Sequence, residues 1–205
     1  MSRLQWLVCI SSLASLASCT VNFTTVFTHG EGGWPCIRIP SITLCRGTLH
    51  AFAECRNRTG DGCMPTTKSH TTADKPASVT AGVCYKSSSD DGATWSEIKQ
   101  VVAGATQPTV ACITDNHLLL QCNYDLVWYS DDAGQTYTVS ETVLPKMDEA
   151  QLVELSDGRI MANMRNNHLN SCDCRAVAIS SDGGKTFGNI TYDSTLISPV
   201  IQSLR

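Results

Sequence analysis

Three short stretches decide the fold of this chain: Ser88-Ser89-Asp90-Asp91-Gly92-Ala93-Thr94-Trp95, Ser130-Asp131-Asp132-Ala133-Gly134-Gln135-Thr136-Tyr137 and Ser180-Ser181-Asp182-Gly183-Gly184-Lys185-Thr186-Phe187. Each fits the pattern Ser-X-Asp-X-Gly-X-Thr-aromatic, and successive boxes begin 42 and 50 residues apart. In such a box the Asp carboxylate and the Ser hydroxyl accept backbone N–H bonds, and Gly adopts a φ that other residues resist. A repeat of this length predicts the four-stranded blades of a β-propeller.

The sequence between the boxes predicts an all-β fold. Short runs are apolar or alternate, they end in Gly, Asp, Asn or Ser, and no long segment keeps a helical period. Two hairpins with glycine turns are predicted, one from 42–44 and 48–56 and one from 151–155 and 159–165. Further strands are predicted at 78–86, 108–113, 117–121, 126–130 and 175–180. The region near Asn123 has no Gly or Pro between two predicted strands, so we expect residues to be absent there.

Composition narrows the class of protein. Of 205 residues, 42% are hydrophobic and 17% are charged, which excludes a disordered or coiled-coil chain. The formal net charge is -4, and no run of Lys and Arg occurs. Nucleic acid and anionic membranes are therefore not expected partners, because binding to either depends on a basic patch.

The 11 cysteines indicate disulfide bonds and an oxidising compartment. No Cys-X-X-Cys occurs, and the five histidines form no metal-binding spacing, so no metal site is predicted. Removing the two cysteines of the N-terminal leader leaves nine. An odd number predicts at least one thiol without an intramolecular partner, or a part of the chain that is not here.

Residues 1–19 have the layout of a secretory signal peptide. Arg3 precedes an apolar stretch over 4–17, which is too short to span a bilayer, and small residues follow. The alternative is a bacterial lipid-attachment signal that would anchor the chain through Cys19. We expect 20–205 to form the folded domain, without a transmembrane segment, in a lysosomal or extracellular location.

The boxes resemble the Asp boxes of the sialidase (neuraminidase) superfamily, whose six-bladed β-propellers remove terminal sialic acid from glycoconjugates. Arg38-Ile39-Pro40 resembles the family's Arg-Ile-Pro motif, which supplies the first arginine of the triad that binds the sialic acid carboxylate. A guanidinium suits this role because it is planar, always charged and able to donate two parallel hydrogen bonds. If 36–40 is extended, Arg38 faces away from Ile37 and Ile39. Alone, the tripeptide would be an ordinary edge strand.

Two further motifs continue the resemblance. The segment 52–56, Phe-Ala-Glu-Cys-Arg, resembles a family strand that ends in an arginine, here Arg56, and Asp61 lies where the family has its general acid. Without that neighbour Asp61 would be an ordinary turn residue. Glu149-Ala150-Gln151, Asp157-Gly158 and Asn163-Met164-Arg165 resemble the signature in which the glutamate supports the nucleophile and the arginine is second of the triad.

The resemblance implies an exo-α-sialidase that works with retention and a tyrosine nucleophile, without a cofactor, on sialylated glycoproteins, oligosaccharides or gangliosides. It assigns Asp61 and Glu149 as catalytic and Arg38, Arg56 and Arg165 as substrate-binding. The family's tyrosine and third arginine lie beyond the equivalent of Leu196, so we expect an incomplete propeller of about four blades, inactive as it stands. The stretch around Cys172-Asp173-Cys174 looks closest to the lysosomal-type branch. The alternatives are a non-catalytic sialoglycan-binding propeller and a general protein-binding one.

Overall fold

The computed structural model describes residues 23–57, 81–113, 117–122, 126–142, 144, 149–166 and 172–198. These residues form three antiparallel sheets, each with four strands in chain order. The strands of the first sheet are β1 (Cys36–Cys45), β2 (Thr48–Arg56), β3 (Ala81–Ser88) and β4 (Lys99–Ala103). Those of the second are β5 (Thr109–Cys112), β6 (Leu118–Gln121), β7 (Val127–Ser130) and β8 (Thr138–Val139). Those of the third are β9 (Ala150–Glu154), β10 (Ile160–Met164), β11 (Cys174–Ser180) and β12 (Thr191–Ile197).

Each box follows the third strand of its sheet and leads to the fourth. In the second sheet, Ser130 Oγ accepts from the backbone N–H of Gly134 at 2.8 Å and donates to Asp132 Oδ1 at 2.8 Å. Gly134 has φ +84, and a Cβ there would lie 2.9 Å from the Tyr137 hydroxyl, so only glycine fits. The Ser-to-Gly hydrogen bond repeats in all three boxes, so each blade has the same turn. The described residues form three blades, whereas about four are predicted.

The sheets pack face to face, and the middle one is buried on both sides. Leu118 and Leu120 of β6 pack in a cluster with Phe52 of the first sheet, whereas Leu119 packs in a cluster with Leu152 of the third. Alternate residues of a strand point to opposite faces, which explains why this strand is a continuous apolar run. Face-to-face packing of successive four-stranded meanders is the arrangement of propeller blades.

Two links show that the first strands of neighbouring blades run in the same direction. Ser41 Oγ accepts from the backbone N–H of Val110 at 3.0 Å, and Cys45 forms a disulfide with Cys112. Going from Ser41 to Cys45 along β1 corresponds to going from Val110 to Cys112 along β5, so the two strands are parallel. The first and second blades therefore have the starts of their first strands at the same end.

The cysteines are used as the odd count predicts. Cys55 is joined to Cys84, Cys36 is also disulfide-bonded, and Cys122 is free and buried. Burial raises the pKa of the Cys122 thiol far above its usual value, which makes it unreactive. The prediction of at least one thiol without a disulfide partner is confirmed.

The predicted inner strands are found, with shifts of a few residues at their ends, but the fourth strand of each blade is not predicted. β4, β8 and β12 are mostly exposed, so their sequences lack the apolar pattern on which a strand prediction depends. Among the described residues no helix is long and apolar enough to cross a membrane. The leader 1–19 and the junction at Asn123 lie outside the described residues.

Candidate active site

Four of the five predicted site residues lie at the end of the blades opposite the boxes. Arg38 is near the start of β1 and Arg56 ends β2, while Glu149 directly precedes β9 and Arg165 directly follows β10. In an antiparallel sheet the start of the first strand and the end of the second lie at the same end of the sheet. The boxes follow the third strands and thus lie at the opposite end of the sheet.

His117 contacts both the second and the third box, so the second and third blades have their box ends on the same side. One ring nitrogen of His117 lies 2.6 Å from Asp131 Oδ1 in the second box, and the other lies 2.6 Å from the carbonyl oxygen of Gly183 in the third. Since the first and second blades are aligned by their parallel first strands, the described site residues of the first and third blades lie at the same end of the blades.

Glu54 connects the two arginines of the first blade. Its side chain is completely buried, Arg56 Nε donates to Glu54 Oε1, and Arg38 Nε lies 3.8 Å from Glu54 Oε2. The Arg38 side chain is 24% exposed, so part of it is open to solvent. A buried carboxylate is tolerated when it is paired, and here it orients two guanidinium groups. The sequence motif included Glu54 without a role, although its period-two spacing from Arg56 puts both on one face of β2.

A β-bulge separates Arg38 from the rest of β1. Arg38 pairs with Glu54 but Ser41 pairs with Phe52, so Ile39 and Pro40 lie opposite a single residue. Ile39 has φ +47, which is strained for a β-branched side chain and corrects the prediction that 36–40 is uniformly extended. Proline fits this position because a bulge needs no ladder N–H from it. Bulges of this kind re-aim side chains beside functional sites.

The third blade brings Glu149 and Arg165 together. Arg165 Nη1 lies 2.5 Å from Glu149 Oε2, and the backbone N–H of Arg165 donates to the Glu149 carbonyl at 2.9 Å. Both side chains are more than four-fifths buried. The hairpin spacing of the sequence thus places both residues at one end of a blade, while their roles stay a prediction.

Arg175 is a buried arginine beside this pair that the motifs do not predict. Its Nε donates to Asn163 Oδ1 at 2.7 Å and its Nη2 donates to the Asn163 carbonyl at 3.1 Å. Burial lowers the pKa of Arg175 and the charge of Arg165 lowers it further, while Glu149 opposes the shift. Extending the hairpin register from β10 to β11 would have indicated it, because that register continues through Met164 and Ala176.

The remaining predicted features are only partly described. Asp61 and residues 167–171 lie outside the described residues. Cys172 and Cys174 form a disulfide, and Asn166 Nδ2 donates to the Cys172 carbonyl at 3.2 Å. No cluster of three or more metal-ligating side chains occurs within the described part of the chain.

Known proteins resemble this chain in sequence. No protein-family model matches it. A sialidase of Micromonospora viridifaciens is 45% identical over 71 residues, which cover 35% of this chain and 11% of that protein. A sialidase of Bacteroides fragilis (strain YCH46) is 29% identical over 126 residues, which cover 53% of this chain and 23% of that protein. Both relatives are sialidases, so these matches support the resemblance to the sialidase superfamily that the motifs indicate.

A solved sialidase has the same fold. The NanB sialidase from Streptococcus pneumoniae aligns with 86% of this chain and 45% of its own, with a TM-score of 0.61 and 14% identity. Likeness at this identity shows the fold alone, since unrelated activities share folds. The chain therefore has the fold of part of a β-propeller, and its matches span 11% and 23% of the two curated relatives.

Proposed function

We propose that this chain belongs to an exo-α-sialidase that hydrolyses terminal sialic acids with retention. The observation that carries the proposal is the grouping of arginines at the end opposite the boxes. Arg38 and Arg56 share the buried carboxylate of Glu54, and Arg165 contacts Glu149. Guanidinium groups held in fixed orientations are suited to a ligand carboxylate.

The catalytic roles follow from the resemblance. Asp61 would protonate the leaving oxygen. The family's tyrosine, for which no residue is assigned in this chain, would attack the anomeric carbon while Glu149 takes the phenolic proton. Water would then hydrolyse the glycosyl-tyrosine intermediate. Tyr192 is not a candidate nucleophile, because it lies on the outer strand β12. A neutral phenol suits this substrate because a carboxylate nucleophile would be repelled by the sugar's own carboxylate.

The substrate proposal is tested by Arg38→Lys in the full-length protein. A point ammonium cannot replace a bidentate fork, so we expect sialic acid binding measured by calorimetry to weaken by about 2 kcal/mol or more. Arg159→Lys is the matched control, because Arg159 is an exposed arginine at the box end. Unchanged affinity in Arg38→Lys would remove the carboxylate-binding assignment.

A non-catalytic sialoglycan-binding propeller is the second candidate, since binding needs Arg38 and Arg165 but no acid. Asp61→Ala separates the two. In an enzyme it should slow cleavage of sialosides with poor leaving groups far more than cleavage of aryl sialosides, which need little protonation. Absence of hydrolysis in the wild-type full-length protein, with binding intact, would favour the second candidate.

We also propose a secretory-pathway location, lysosomal or extracellular. Cys45–Cys112 and Cys55–Cys84 are disulfides that join separate strands, and such bonds persist in oxidising compartments. Mass spectrometry of the natural protein under non-reducing conditions tests this. Recovery of all four cysteines as thiols would contradict it.

A further inference from the structure

The third blade carries a row of charged residues across its four strands at the site end. Continued by one residue beyond Met164, the register of β9, β10 and β11 puts Arg165 between Glu149 on one side and Arg175 on the other. Arg175 in turn lies opposite Asp193 of β12 in the strand register. The order of charges along the row is therefore negative, positive, positive, negative.

The two adjacent cations are the unusual feature of this row. Like charges directly opposite each other on neighbouring strands are destabilising. Arg175 is nevertheless 3% exposed, so its repulsion with Arg165 is weakly screened by solvent. Asp193 accepts hydrogen bonds from the backbone N–H and the hydroxyl of Thr195.

Asn163 holds Arg175 in place. It accepts one hydrogen bond from Arg175 with its side chain and another with its backbone carbonyl. Arg165 follows β10 directly and is two residues from Asn163, so both side chains lie on the same face of the extended segment. The guanidinium of Arg175 is consequently fixed on the β11 side of Arg165.

The side chain of Arg165 can turn towards β9 or towards β11. A fixed cation at position 175 makes the β11 side unfavourable, and Glu149 on β9 makes the other side favourable. We propose that Arg175 is a positioning residue that directs Arg165 towards Glu149 and so sets the orientation in which Arg165 meets its ligand. The inference rests on the proposed function only for the identity of that ligand.

The experiment is a double-mutant cycle between Glu149→Gln and Arg165→Met in the full-length protein, measured by denaturant unfolding with Arg175 and with Arg175→Glu. A carboxylate at 175 offers Arg165 a second partner on the β11 side, so we expect the Glu149–Arg165 coupling to fall by more than half. Arg175→Lys keeps the charge and should retain most of the coupling. An unchanged coupling in Arg175→Glu overturns the inference, whether or not the protein binds sialic acid.

Ligand binding supplies the second measurement. Arg175→Glu should weaken sialic acid binding by about tenfold or more, as misdirection of one charged hydrogen-bond donor predicts, and Arg175→Lys should restore most of it. Lys185→Glu, an exposed charge reversal in the third box, is the matched control. Wild-type protein that binds no sialic acid would contradict the proposed function, while the coupling measurement would still decide the role of Arg175. If Arg175→Glu fails to fold, Arg175→Met replaces it, and a coupling equal to wild type overturns the inference.

Discussion

The two ends of the blades are built in opposite ways. At the box end, three turns repeat one set of local bonds: the Thr hydroxyl donates to the Asp carboxylate at 2.5, 2.5 and 2.6 Å, and the Thr N–H donates to it at 2.9 Å each time. At the site end the contacts differ between blades: Arg38 of β1 lies 3.8 Å from Glu54 of β2 in the first blade, and Arg175 of β11 donates to Asn163 of β10 in the third. The repeated turns belong to the scaffold of the fold, and the contacts that differ between blades lie at the end that holds the proposed site residues.

The largest expected effect comes from removing the buried charge at the site end. Glu54→Gln keeps the shape of the side chain but removes the carboxylate that Arg38 and Arg56 both face, so unfolding free energy should fall by about 4 kcal/mol. Denaturant titration measures it. Glu97→Gln, at an exposed position, is the control and should stay within about 0.5 kcal/mol. Equal effects would mean that Glu54 is not an anchor.

The next effect concerns the bond that aligns the blades. Replacing Cys45 and Cys112 by Ser opens a disulfide that closes 67 residues and should cost about 3 kcal/mol. The Cys55–Cys84 bond closes 29 residues within one blade, so its loss should cost about 0.7 kcal/mol less. Thermal unfolding of both double variants tests the ranking, and a reversed order would contradict the entropic explanation.

A smaller effect is expected from one box. Ser130→Ala leaves the Gly134 N–H without its acceptor in a buried turn and should cost about 2 kcal/mol. Ser88→Ala and Ser180→Ala are matched tests of repetition, because each serine accepts from its own box glycine at 2.9 and 2.8 Å. Chemical unfolding should give similar losses at all three positions. Widely different losses would show that the boxes are not equivalent.

The smallest effect is the acid dependence of the boxes. Hydrogen bonds from Thr94 lower the pKa of Asp90 to about 2, and hydrogen bonds from Thr136 lower that of Asp132 to about 2. A depressed folded-state pKa stabilises the fold above the unfolded value of about 3.9, and this stability is lost as pH falls towards 2. The melting temperature should therefore decline between about pH 4 and pH 2, and less steeply in Asp90→Asn. Equal slopes would contradict the assignment.

Prediction from sequence worked where the bonds are local. The predicted hairpin turn between β1 and β2 is found at Arg46-Gly47, and both residues have positive φ. It failed at Ile39, where a bulge replaces an extended residue, because pairing with β2 and not local preference sets that backbone. Prediction from sequence also missed Arg175, because its interaction with Arg165 joins two positions ten residues apart in the chain.

The sequence by itself determined the repeated blades and their turns, because each box closes through bonds within five residues and each inner strand carries its own apolar pattern. Only the tertiary structure decided that Glu54 anchors two arginines and that Arg165 lies between Glu149 and Arg175. The contacts of Glu54 with Arg38 and of Arg165 with Glu149 join residues on separate strands, so their geometry follows from register and packing. A linear pattern records which charges are present, whereas the folded sheet determines which of them meet.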